Sequence, residues 1–396
     1  MLNFRGEYGS ADIMIDNIDQ ETISQIYEFL NNEVFTEKIV IMPDCHAGKG
    51  AVIGFTMPIT DKIIPNIVGV DIGCGMLSHE LPENILKMYT PKDIDNVIRR
   101  SIKLGKNVHE TEKINLKNHS LFWKVSNLLL SSFSKKYNEK FKTNYKSNEF
   151  NYEWLKQKCN QVGIDLGRTI NSIGSLGSGN HFIELGQSQN TNRHWLTIHS
   201  GSRQFGLKIA NYWQKKAGKG NLAALSGEDM FGYLADMIFT QFYAQANRSM
   251  MMSLICDELK IPEIPSSENF IHSVHNYINF KDFIIRKGAI SSYIGEKMLI
   301  PFNMEDGIII CEGKSNPDWN FSAPHGAGRV ASRSWAKSNL NLEEAKQRMI
   351  EKDIYFSNLP IDELKGAYKD ASIIENAIEP TATIVDRLRP ILCIKD

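Results

Sequence analysis

Five residues of metal-ligating type sit in short glycine- or asparagine-marked strings. Asp71 and Cys74 share Asp71-Ile72-Gly73-Cys74-Gly75, His181 lies in GSGNHF, His199 in IHSGSR and His275 in VHN. Carboxylate, thiolate and imidazole together are the donors of a transition-metal site, and with three imidazoles Zn, Mn, Fe and Co all stay open. A turn at Gly73 can point Asp71 and Cys74 inward together. Because a sulfur can bridge two ions, these five ligands could hold a dinuclear centre. Paired ions suit phosphoryl transfer, one polarising a phosphate while the other holds the attacking or leaving oxygen. Taken singly, a cysteine is more often a small buried hydrophobe and a histidine more often structural. The joint framing of all five lifts them above that reading.

A further histidine has a different setting. His325-Gly326-Ala327-Gly328-Arg329 places two glycines and an arginine directly after an imidazole. Small residues let backbone N–H groups approach an anion, and a guanidinium grips phosphate oxygens in pairs. His325 therefore reads as a nucleophile beside a phosphate cradle. Residues 200–203 (SGSR) and 174–180 (GSLGSGN) offer two more loops of this kind, and three such loops suit a triphosphate; the plain alternative for each is a tight turn. His79, His109, His119, His194 and His272 lack such framing and read as surface or structural residues. Two nucleotide motifs are absent. The string from Gly307 to Gly313-Lys314-Ser315 is one residue too long for a P-loop and has an apolar, strand-like interior, and the 174–179 run is not GxGxxG, so the chain is neither P-loop nor Rossmann.

These residues need a scaffold. With 396 residues, 42% apolar and 23% charged, the chain can bury a large core. Lysine and arginine number 45 against 46 acidic residues, so binding to nucleic acid needs a local basic surface rather than a global field. Six scattered cysteines without a CxxC pair read as reduced thiols of a cytoplasmic protein. No signal peptide is evident, and the apolar runs are strand-sized, so no membrane is expected. Helical spacing predicts a helix over 17–33, and Ile39–Met42 reads as a buried strand ending at Pro43-Asp44. Residues 84–170 and 206–260 read as mainly helical. The strand 195–198 delivers His199, a strand pair occupies 283–311, a helix capped by Asn341 covers 341–352, and the tail 384–395 is extended. Glycine-bounded strands interleaved with helical stretches argue for one α/β unit of mixed α+β type.

Read together, the strings resemble the RtcB family of RNA ligases. The matching pieces are MPDCHAGKGAVIGFT (42–56), VGVDIGCGM (68–76), GSLGSGNHFIEL (174–185), HSGSRQFG (199–206), VHN (274–276), RKGAI (286–290), APHGAGRVASR (323–333), GAYKD (366–370) and Lys395. The short chain and its 300–329 segment are similar to the bacterial subgroup found alongside a peptide-release-factor homologue. The resemblance implies a single RtcB-like domain over 1–396, with central β-sheets and helical insertions near 84–170 and 206–260. It also implies a GTP-dependent ligase with two Mn²⁺ ions, joining RNA 3′-phosphate or 2′,3′-cyclic phosphate ends to 5′-hydroxyl ends. On this resemblance Cys74 bridges the ions, with His199 and His275 on one and Asp71 and His181 on the other. His325 takes GMP from GTP and passes it to the RNA 3′-phosphate. Asn180, Arg203 and Arg329 contact phosphates, Glu184 and Lys395 hold guanine, and Asn276, Gly326, Ala327 and Gly328 complete the nucleotide site.

One departure stands out: the family's small-residue segment PGSMG, beside the guanine pocket, is here Pro301-Phe302-Asn303-Met304-Glu305-Asp306-Gly307. A bulky ring and two carboxylates put guanine specificity in question. For RNA, His46 and Lys49 are candidates to grip an RNA end. The interval 135–146 interleaves five lysines with Tyr137, Phe141 and Tyr145, which fits an RNA-binding face, although a solvated insertion explains it better. Two rival functions remain: a dinuclear phosphoesterase, which has no use for His325, and a non-catalytic RNA-end binder, which has no use for intact ligands. The physiological RNA, tRNA or rRNA, and any activating protein partner are left open.

Overall fold

The computed structural model describes residues 1–48, 50–261 and 270–396. Lys49, one of the two residues expected at the RNA end, lies outside them.

Two main sheets carry the molecule. The first has six strands in the order Leu2–Arg5, Ser10–Ile13, Ile39–His46, Ile53–Pro58, Ile284–Lys287 and Asn276–Asn279. The second runs Phe270–Val274, Gly75–Leu81, His194–Ser200, Phe182–Ser188, Ala382–Ile394, Ile308–Gly313 and Lys297–Pro301, with the short strand Tyr355–Phe356 also on Ala382–Ile394. Its neighbours pair antiparallel along the whole path. The sheet curls until its edges meet, where the Leu299 amide donates to Ser273 Oγ at 2.9 Å. The result is a nearly closed, barrel-like sheet in a mixed α/β chain, unlike the open parallel sheet of a Rossmann fold.

Two expectations are corrected. The strand begun at Ile39 does not stop at Pro43-Asp44 but runs to His46. Pro43 is tolerated there because the pairing with Ile53–Pro58 is interrupted between Ile41 and His46. The stretch 283–311 holds four strands rather than two, Ile284–Lys287, Ala289–Ser291, Lys297–Pro301 and Ile308–Gly313, with Gly288 at φ +65° separating the first two. The helix Gln20–Leu30 starts at its cap Asp19, and Leu342–Glu351 starts at its cap Asn341.

Between 85 and 171 the chain is mainly helical, with Ser120–Phe141 the longest element. The aromatic residues at its end do not form a stacking surface. Tyr137 is buried, its ring 4.6 Å from Phe141 and 5.2 Å from Phe231, and Tyr145 packs on Phe231 at 5.6 Å. These rings belong to the hydrophobic core, which leaves the lysines as solvated edges.

The helix Gly227–Glu258 positions the site. Its first half, Met230 to Tyr243, lies in the core under the six-stranded sheet. Its second half, Met251 to Cys256, lies in a second core with Ile183, Leu196 and Ile198 of the curled sheet. The helix is buried almost all round from Met230 to Thr240, while Gln245 and Ser249 further on are exposed, and it passes between both sheets. At the crossover it turns Asn247 and Arg248, both fully buried, toward the loops described next.

Candidate active site

Strand register gathers the metal-ligating residues. Ser200 pairs with Gly75 and His199 with Met76, while Val274 also pairs with Gly75 and His199 with Phe182. Cys74, His181 and His275 are therefore one residue outside, and His199 one residue inside, neighbouring strand ends. Gly73, at φ +73°, makes the turn that brings in Asp71. A Cβ there would stand 3.0 Å from Gln241 Cα and Ala244 Cβ on the long helix, so a side chain would push the loop off it.

Two ligand groups share one sulfur: Cys74, His199 and His275 form the first, and Asp71, Cys74 and His181 the second, with ligand atoms in each group within 4.8 Å of one another. Cys74 Sγ is 3.3 Å from His199 Nε2 and 3.5 Å from His181 Nε2. His199 Nε2 is 3.2 Å from His275 Nε2, and His181 Nε2 is 2.9 Å from Asp71 Oδ2. The rings are preset as ligands. His181 Nδ1 donates to the Leu176 carbonyl at 2.9 Å and His199 Nδ1 to the Asn180 carbonyl at 3.1 Å, which leaves each Nε2 with its lone pair. Burial lowers the proton affinity of His199 and His275 well below the usual imidazole range, so both stay neutral. Burial, with Asp71 alongside, pushes the Cys74 thiol well up. A thiolate at that position needs a cation beside it, and the donor set fits two ions sharing the sulfur.

Arg248 and Asn247 hold this arrangement from behind, and neither carries a sequence signal beyond its place on a helix. Arg248 donates to the Gly73 and Ser200 carbonyls at 2.8 and 2.7 Å and contacts His272 at 2.8 Å. Asn247 accepts from the Gly174 and Ser175 amides and donates to the Ser175 and Gly201 carbonyls. Together they tie three ligand-bearing loops to one helix.

A cavity of about 710 Å³ opens beside the cluster, lined by His199, His275, Asn180, Asn276, His325 to Arg333, Glu184, Lys395 and His46. The His325 ring lies 4.9 Å from that of His275. Its Nδ1 meets Asp44 Oδ2 at 2.6 Å, and its backbone amide donates to the same oxygen at 3.2 Å. Asp44 is fully buried. Sequence reading passed over it, though its place beside His46 in the PDCH string was the available signal. Gly328, at φ +73°, packs directly on the Asp44 backbone, where a Cβ would collide with its carbonyl oxygen. That glycine thus serves close approach of two chain segments as well as openness to an anion.

The other two glycine loops have a different job from the one expected. The 174–180 loop reaches the cavity through Asn180 alone and 200–203 does not line it; the two loops carry His181 and His199. Arg203 lies behind them, donating to Ser175 Oγ at 3.1 Å and the Gly105 carbonyl at 2.8 Å. A Cβ on Gly177 would collide with the Arg203 guanidinium, so those glycines make room for an arginine. Asn276 uses its side-chain oxygen to accept the Gly288 amide at 2.9 Å.

At the far end of the cavity the charges pair with one another. Lys395 Nζ donates to Glu363 Oε2 at 2.7 Å, as does the Tyr368 hydroxyl at 2.6 Å. Arg333 reaches Asp362 and Glu363 at 2.6 and 2.5 Å, and Arg329 donates to the Asp362 carbonyl at 2.8 Å with its guanidinium 5.1 Å from the Tyr368 ring. Glu184 is different: Oε1 is buried without a partner, and burial, only partly offset by the Cys393 thiol and Lys395, raises its carboxyl to about 8. Phe302 is buried against the cavity, whereas Glu305 turns away to Arg348 and Lys352 at 3.0 and 3.1 Å, and Asp306 to Lys365 at 2.8 Å. The two carboxylates that put base specificity in question are neutralised outside the cavity.

A curled sheet with metal-ligating side chains converging at one end, beside a nucleotide-sized cavity, is here the architecture of an RNA ligase. A family model described as tRNA-splicing ligase RtcB matches residues 25–396, and the chain belongs to the RtcB family. It is 29% identical to the RNA-splicing ligase RtcB1 of one Escherichia coli strain and 28% identical to the RNA-splicing ligase RtcB of Escherichia coli K12, each alignment covering 90% of both chains. It is 25% identical to the tRNA-splicing ligase RtcB of Aeropyrum pernix over 96% of this chain and 92% of that one. No helix among the described residues is long and apolar enough to cross a membrane.

Proposed function

We propose that this ligase seals RNA 3′-phosphate or 2′,3′-cyclic phosphate ends to 5′-hydroxyl ends, using GTP and two Mn²⁺ ions. The observation that carries the reading is His325 held through Nδ1 by buried Asp44 at 2.6 Å, its ring 4.9 Å from a metal-ligating histidine in one cavity. The carboxylate fixes the tautomer, so the lone pair sits on Nε2. A bond forms between Nε2 and the α-phosphorus of GTP, and pyrophosphate leaves with the electrons of the broken P–O bond. An oxygen of the RNA 3′-phosphate then takes GMP from nitrogen. Asp44 stabilises the positive charge that the ring carries while Nε2 holds GMP, and the ring departs as neutral imidazole with the electron pair of the broken N–P bond. Finally the 5′-hydroxyl attacks the activated 3′-phosphorus and GMP departs.

Asp71, Cys74 and His181 would hold one ion and Cys74, His199 and His275 the other. Bound there, the ions supply Lewis-acid polarisation of phosphate oxygens. Asn180, Asn276 and the His325-to-Arg329 backbone line the path for the phosphates. The unpartnered Glu184 oxygen suits guanine, whose edge offers adjacent N1–H and N2–H donors where adenine offers an acceptor at N1. Lys395, beside it, suits O6. A phosphoesterase would leave both His325 and this base site without a task. RNA repair is the proposed setting, on the subgroup resemblance, and the cytoplasm on six free, buried cysteines.

The test is incubation with α-labelled GTP and Mn²⁺. The wild type should acquire an acid-labile label and His325→Ala should not; an unlabelled wild type, or full labelling of the variant, rules the mechanism out.

A further inference from the structure

We propose that His46 is the general base of the joining step, accepting the proton of the attacking 5′-hydroxyl; the inference rests on the ligase reading above. His46 ends the strand Ile39–His46 and lines the same cavity as His325. Asp44 holds both rings, His325 Nδ1 by its side chain and His46 Nδ1 by its backbone carbonyl at 3.1 Å. A carbonyl only accepts, so His46 Nδ1 carries the hydrogen and Nε2 the lone pair. Lys369 donates to the Pro43 and Cys45 carbonyls at 2.9 Å each, and Gln25 bonds both the amide and the carbonyl of Gly48 at 3.1 and 2.9 Å. The ring is thus braced on both sides in the chain.

This geometry argues against a phosphate grip. A lone pair facing a phosphate oxygen repels it, and the ring is kept neutral, its proton affinity lowered to about 4 chiefly by burial. The groups around it are Asp44, His325 and Lys369, with Asp19 and Glu21 at the cavity wall. What Nε2 can take is an O–H. In the joining step the 5′-oxygen must lose a proton as its bond to phosphorus forms and the P–O bond to GMP breaks. The proton passes to Nε2, the electron pair of the broken bond leaves with GMP, and the proton is then released to water. The negative charge of a phosphate bound nearby raises the ring's proton affinity and makes it a better acceptor.

The experiment supplies RNA already carrying a 3′-diphosphoguanosine end, with a 5′-hydroxyl RNA, so that only joining is measured. His46→Ala should slow joining about 100-fold or more, in the range of general-base catalysis, while labelling of His325 by GTP changes less than threefold. Imidazole in solution should restore part of the rate, and His46→Gln should not. Unimpaired joining by His46→Ala overturns the proposal. So does an equal loss of labelling and joining, which would mean that His46 acts through Asp44. A defect that disappears with a 2′-deoxy donor end also overturns it, because Nε2 would then serve only to recognise a ribose hydroxyl. If the wild type itself neither labels nor joins, the ligase reading falls and this inference with it; normal joining by both proteins sinks the His46 assignment alone.

Discussion

The two ends of the cavity are built on opposite plans. At the metal end, five ligands converge from neighbouring strand ends, face one another and are tied from behind by Asn247 and Arg248. At the nucleotide end, Lys395, Arg329 and Arg333 are already engaged with Asp362, Glu363 and Tyr368. The metal end suits cations, because among the described residues its donors face one another, Asp71 against His181 included, rather than a lysine or an arginine. On the proposed function the nucleotide end must exchange internal ion pairs for ligand contacts, and among the described residues Glu184 keeps an unpartnered oxygen there. Removing a residue from the first end should therefore abolish function, whereas removing one from the second should change selectivity and affinity.

The largest effect expected is at the junction of the two: His325→Ala should reduce label transfer from GTP by more than about 1,000-fold, as loss of an essential nucleophile does. At the metal end, Cys74→Ala removes the shared ligand, and metal content measured after dialysis should fall from two ions to one or none, with Mn²⁺ affinity reduced by about 100-fold or more. Retention of two tightly held ions would break the idea of a bridging sulfur. Asp44→Asn should preserve metal content yet slow labelling by about 100-fold, since an amide can hold the wrong tautomer of His325.

Smaller effects belong to the nucleotide end. With the Glu184 carboxyl raised to about 8 by burial, its ionised, doubly accepting form increases as pH rises. GTP affinity should strengthen by up to about tenfold between pH 7 and pH 8.5, and titration calorimetry on Glu184→Gln should find that dependence gone and discrimination against ATP reduced. Arg348→Ala should be nearly silent. Its guanidinium is partly exposed and Glu305 keeps Lys352, so a loss of about 1 kcal/mol or less in stability is expected, with base preference unchanged. A shift in base preference would show that the altered 301–307 segment does reach the nucleotide.

Legibility in the sequence followed the same division. Asp71, Cys74, His181, His199 and His275, which the fold brings together, stand out in the sequence because side chains converging at strand ends need glycine turns, which leave a local mark. Glycine records close approach without recording what approaches: at Gly177 it is the Arg203 guanidinium, and of the loops 174–180 and 200–203 only Asn180 faces the cavity. Asp44 was missed because its partner His325 is distant in sequence, and a buried aspartate inside an apolar strand resembles a turn signal. The 135–146 interval allows a stacking surface as well as the solvated insertion that explains it better, because composition cannot tell which face of a helix is covered. Arg248 and Asn247 were beyond reach altogether, since their role depends on where the long helix passes.

That helix has a consequence for how the enzyme comes into being. Gly227–Glu258 buries its first half in one core and its second half in the other, so both cores must form before the helix is covered. The ligands lie between Asp71 and His275 and meet only after both have done so. Such late, long-range closure makes folding slow and cooperative. It also makes metal capture a checkpoint on assembly: a chain with either half misplaced offers scattered donors to the ion, and only the finished molecule is rewarded with the extra stability of binding it.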